Sequence, residues 1–137
     1  ASGKMDTNSA EVIQKTPYAL MGGEEPLRRL VKRFYEIVDS DPMAAPIRAM
    51  HKDDLGPIQE ALFEFMSGWL GGPALYSERT GTICLTEPHA AFEIGEPERD
   101  QWMHCMRRAL DETEVSDEVK AMLEQPLLGL ADFIRNV

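Results

Sequence analysis

The side chains best suited to chemistry in this chain are isolated rather than clustered. Residues 86–95 read TEPHAAFEIG, and His89 stands there with no cysteine, second histidine or carboxylate pair near enough to form an obvious site. One reading is a surface or capping histidine. The other is a single axial ligand to a metal that something else mostly holds. Zinc takes three or four protein ligands, and no such cluster is legible. A porphyrin supplies four nitrogens and leaves one position for a histidine, so His89 fits a haem and fits zinc poorly. Tyr35 lies eight residues after Leu27 on an apolar helical stripe. It is either core, bonded to a backbone carbonyl, or a donor to a bound ligand, because a buried hydroxyl needs some partner. Trp102 is also at an inward position, and its indole N–H only donates. Two inward donors suit a pocket for an anionic or polarised ligand.

The remaining candidates read more plainly. His51 follows Met50 in a connection and reads as an exposed loop residue. His104 sits about 200° round the helix from Trp102, at roughly 100° per residue, and reads as surface. Cys105 faces inward as core, and Cys84 has no neighbouring His or Lys to activate it. The acidic pairs Glu24-Glu25 and Asp53-Asp54 suit helix starts. Gly22-Gly23 lacks the strand and spacing of a phosphate loop.

The elements that must position these residues are helical. From Pro26, Leu27, Leu30, Val31, Phe34, Tyr35 and Val38 make one stripe, which Asp41-Pro42 ends; a short helical turn toward Arg48 can follow. After Gly56-Pro57, Ile58, Ala61, Leu62, Phe65, Met66 and Trp69 share a face until Gly71-Gly72-Pro73. A third helix opens near Pro97, with Trp102, Cys105, Met106 and Ala109 inside. The last runs from about Ser116 through Val119, Met122, Leu123, Leu127, Leu130, Ala131 and Ile134, with Pro126 expected to kink it. Thr82-Ile83-Cys84-Leu85 is β-prone but short and isolated, so the class is all-α. Residues 71–96 have little helical periodicity and carry Tyr76, His89, Phe92 and Ile94. A loop longer than about 12–15 residues in a compact domain is usually functional or disordered, and these apolar groups argue that something anchors it.

The chain's 137 residues, 43% hydrophobic, suit one domain with a real core. Net charge is −10, from 24 acidic and 14 basic side chains. No basic stripe for nucleic acid or an anionic membrane surface is visible, since Arg28-Arg29 and Arg107-Arg108 read as solvated faces. No apolar run reaches a membrane span. Residues 1–16 lack the apolar region of a signal peptide and read as a disordered tail. Two cysteines without zinc or C-x-x-C spacing suggest free thiols and a cytoplasmic location.

The order and spacing of YALMGG (18–23), RFYEIV (33–38), FMSGWLGGPALYSERTG (65–81) and PHAAFEIGEPERDQWMHCMRRAL (88–110) resemble the group II truncated haemoglobins. The resemblance covers residues 17–137, taken as one domain. It implies a two-over-two helical sandwich around haem b, with the proximal helix reduced to a loop. It implies His89 as the proximal iron ligand, and Tyr35 and Trp102 as distal donors. His51 matches a distal position held by Phe, Tyr or His, Ile58 the gate and Leu62 the position a turn later. Tyr76 matches a tyrosine at the haem edge, and Phe65, Met66 and Phe92 are expected against the porphyrin. The family often has Arg before the proximal ligand, where this chain has Pro88; Ala61 takes another position that can be basic. Arg79 is the substitute for holding a haem propionate. The partners implied are O2, CO and NO, with a reductase as a candidate protein partner and a monomer or homodimer as the assembly. A pentacoordinate iron under Tyr35, Trp102 and His51 implies slow O2 release, suited to sensing or to O2, NO or peroxide chemistry, including NO dioxygenase-like or peroxidase-like side activity. The rival reading is a haem-free helical interaction module in which Tyr35 and Trp102 are core.

Overall fold

A computed structural model describes residues 16–51, 53–80 and 94–133. These form α1 (Pro17–Leu20), α2 (Glu24–Ser40), a 3-10 turn (Pro42–Ala44), α3 (Ala45–Ala49), α4 (Gly56–Trp69), α5 (Leu75–Thr80), α6 (Glu96–Glu112) and α7 (Asp117–Phe133). No strand occurs among the described residues. α2 packs on α6 and on α4, and α7 packs on α6. The result is one pair of helices, α2 with α4, laid over a second, α6 with α7.

The stripe of α2 becomes its buried face: Leu27, Leu30, Val31, Phe34, Tyr35, Ile37 and Val38. Glu24 and Glu25 lie in its first turn, where carboxylates face the positive end of the helix dipole. From α6, Met103, Cys105, Met106, Ala109 and Leu110 meet it, and Leu123 and Leu127 of α7 complete the core. Truncating such a core side chain to alanine costs about 2–5 kcal/mol. Burial, with Asp41 nearby, pushes the Cys105 thiol up to about 11, so it stays a neutral core group.

α1 fixes the far end of α4. Thr16 caps it through the Ala19 N–H, and Tyr18 N donates to Leu70 O at 3.0 Å. The Tyr18 ring lies so close over Gly72 that a Cβ there would stand 2.6 Å from it. Gly71 adopts φ +95°, the left-handed region that lets α4 stop at this point.

The structure differs from expectation in four places. α5 is a helix of six residues inside the stretch read as irregular. α7 runs on through Pro126, which stands on the exposed side where water can meet the carbonyl it strands. The core face of α4 is Phe63, Met66 and Ser67, followed by Leu70, and not the stripe from Ile58 to Trp69. His104 is not a free surface residue, because its Nε2–H donates to Asp41 Oδ2 at 2.8 Å. His89, Phe92, Cys84 and Ile134 lie outside the described residues.

Candidate haem pocket

α2 and α6 bring two of the predicted donors to one place. Tyr35 is 5% exposed, and its ring meets Phe34 edge-on at 4.9 Å between centroids. Phe34 in turn lies 5.3 Å from Trp102 on α6. His51, just past α3, approaches the other side of Tyr35, with centroids 5.8 Å apart. These aromatic rings thus form a contiguous row of contacts.

The polar atoms of that row are arranged for donation. Neither Tyr35 nor Trp102 makes a hydrogen bond among the described residues. Burial raises the Tyr35 hydroxyl above its ordinary pKa, so it keeps its proton. Tyr35, nearly enclosed, and Trp102, half-buried, are donors that a bound acceptor would satisfy. His51 Nδ1 stands 2.7 Å from Ile47 O. A carbonyl only accepts, so Nδ1 carries the proton, and Nε2 of the neutral ring is an acceptor.

α4 supplies the apolar wall. Leu62, Phe65 and Trp69 pack on the core yet stay half-exposed, and Ile58 is 38% exposed. Phe65 meets Tyr76 of α5 edge-on at 5.8 Å. A cavity of about 280 Å³ lies between them, lined also by Glu64, Gly68, Trp69, Ala74 and Ser77. Met66 departs from its expected place. At 0% exposure it lies in the buried core cluster. Ala61 is half-buried on the same helix.

Arg79 Nε donates to both oxygens of Glu64, at 2.8 and 3.0 Å, and its guanidinium lies 5.8 Å from the Tyr76 ring centre. Its terminal nitrogens have no partner among the described residues. A flat apolar group with carboxylates at one edge and a polarised ligand on its axis fits this donor set: apolar wall, cationic fork and two idle donors.

A larger polar cluster was not legible in the sequence. Asp41, whose side chain is 10% exposed, caps the 3-10 turn by accepting the Met43 N–H at 2.9 Å. It also accepts from His104 and, at 3.0 Å, from Arg108 Nη1. The Met43 N–H, followed by His104, holds its carboxyl down at about 2 against an ordinary 3.8. A depressed carboxylate stabilises the fold above its unfolded value and loses that contribution as pH falls. The stability gap between the protein and its Asp41→Asn variant should therefore hold from about pH 7 to about pH 5. It should shrink below 3.8 and vanish near pH 2, as thermal melts across that range would show.

The family model for bacterial-like globins matches residues 16–136. The group 2 truncated hemoglobin YjbI of Bacillus subtilis is 36% identical over 107 residues, 78% of each chain. The group II 2-on-2 hemoglobin of Agrobacterium tumefaciens superposes with a TM-score of 0.84 at 38% identity, covering 88% of this chain and 94% of that one. A truncated oxygen-avid haemoglobin from Bacillus subtilis gives 0.80 at 34% identity, covering 89% and 100%. A helical sandwich of this topology, with that extent of match, means that the chain belongs to the group II truncated haemoglobins, a haem b globin family that binds small gaseous ligands.

Proposed function

We propose that this chain holds O2 tightly and releases it slowly, through hydrogen bonds from Tyr35 and Trp102. Haem b, when bound, would supply the binding chemistry for a diatomic ligand, and Tyr35 and Trp102 would donate to the negative charge that ligand carries. The observation that carries the reading is that Tyr35 and Trp102 both contact the Phe34 ring, each without a hydrogen-bond partner among the described residues. Each donor to a charged acceptor contributes roughly 1.5–3 kcal/mol. One structural relative, from Bacillus subtilis, is described as oxygen-avid, in keeping with this reading.

Other roles are carried over from the family resemblance. His89, outside the described residues, would hold the iron, a role carried over from the HAAF match. Neutral His51 spends its one N–H on Ile47 O, so only its protonated form can add a third hydrogen bond. Ile58 closes the edge by bulk, Leu62, Phe65, Phe92 and Tyr76 border the porphyrin, and Arg79 pairs with a propionate. Such tight holding suits sensing, scavenging or redox use better than delivery. NO consumption with O2 and reaction with peroxide are the side activities, with a reductase as the electron source and the cytoplasm as the setting.

An absorption spectrum of the purified protein tests the base of this reading. A Soret band that shifts when the dithionite-reduced protein takes up CO is the expected result. Its absence after hemin is added would return the chain to a haem-free helical module.

A further inference from the structure

The three distal residues come from three elements. Tyr35 is on α2, His51 follows α3 and Trp102 is on α6. Asp41 is bonded where those elements converge. Its N–H donates to Ile37 O, closing the end of α2, and its carbonyl accepts Ala44 N–H in the 3-10 turn. Its carboxylate holds the Met43 N–H at the start of the turn and reaches His104 and Arg108 on α6. His104 is two residues from Trp102, and the turn leads directly into α3.

The Asp41 carboxylate stands at two local ends at once: the C-terminal end of α2, whose dipole disfavours it, and the start of the 3-10 turn, whose Met43 N–H it caps. Its long-range partners come from a helix more than sixty residues away, His104 at 63 and Arg108 at 67. Arg108 is shared with Glu112, which also pairs with Arg33 of α2. The network thus links α2 to α6, the two helices that also carry Tyr35, Phe34 and Trp102.

We infer that Asp41, held by His104 and Arg108, is a positioning residue for the distal pocket: it sets the spacing of Tyr35 and His51 against Trp102 and thereby the rate of O2 release. This rests on the distal-donor reading above. Loosening the node lets α6 and the 3-10 turn shift against α2. The two donors then no longer converge on one ligand.

The test uses the haem-loaded protein with Asp41→Asn, His104→Gln and Arg108→Gln. Each should speed O2 release about threefold or more, within the range carried by shifts of packed elements. Each should also move the vibrational band of CO in the CO-bound protein, and Met43 amide exchange should quicken. Arg107→Gln is the control: it removes an α6 ion pair, with Glu124 of α7 at 2.9 Å, that does not touch the turn. It should leave release and the CO band alone. Added to a Tyr35→Phe, Trp102→Phe background, Asp41→Asn should have no further effect on release. If the node variants melt earlier but keep the parent release rate and CO band, Asp41 is structural only and the inference is overturned. If that double background itself releases O2 at the parent rate, the donor reading fails instead. Should Asp41→Asn not fold, the His104 and Arg108 variants decide.

Discussion

Replacing Tyr35 and Trp102 together with phenylalanine is expected to speed O2 release by about two to four orders of magnitude. Two hydrogen bonds to a charged acceptor are together worth roughly 3–6 kcal/mol, and about 1.4 kcal/mol is tenfold. Phenylalanine keeps much of the ring packing around Phe34, so the change reports on the donors rather than on a cavity. Stopped-flow displacement of O2 by CO measures it. The single variants should divide the effect unequally. Tyr35 is nearly enclosed, whereas Trp102 is half-exposed, where solvent weakens a hydrogen bond. An unchanged release rate would mean that both side chains are simply core.

The second large effect is expected at His89. His89→Ala should abolish the Soret shift with CO, or leave haem so loosely held that gel filtration removes it. The chain has three histidines. His104 is committed through Nε2 to Asp41. His51 is tied through Nδ1 to Ile47 O and stands beside Tyr35, on the side given to the exogenous ligand. The family resemblance makes His89 the expected proximal ligand. Added imidazole should restore the band in His89→Ala, because it can occupy the space the side chain vacates. A variant with the parent spectrum would move the iron ligand elsewhere, with His51 the first to replace.

Much of this was legible from residue order. The stripe from Leu27 to Val38 became the buried face of α2, because spacing of three and four residues places side chains on one side of a helix whatever the rest of the chain does. Inward positions for Tyr35 and Cys105 followed from the same rule. The family resemblance, carried by motifs in sequence, supplied the haem.

Tertiary structure decided the rest. α4 carries two overlapping apolar stripes, one from Ile58 to Trp69 and one through Phe63, Met66, Ser67 and Leu70. Periodicity tells which residues share a face, not what covers it, so only packing showed that the second stripe faces protein and that much of the first stays open. Met66 belongs to both patterns and went to the core. The Glu64–Arg79 pair and the Asp41–His104–Arg108 node have no local signature, because ion pairs across 15 to 67 residues form only after the helices have packed. Sequence periodicity therefore determined the helices and their inward residues. The fold decided which apolar faces stayed open, which charges met, and that the rings of Tyr35, Phe34, Trp102 and His51 would form one row of contacts.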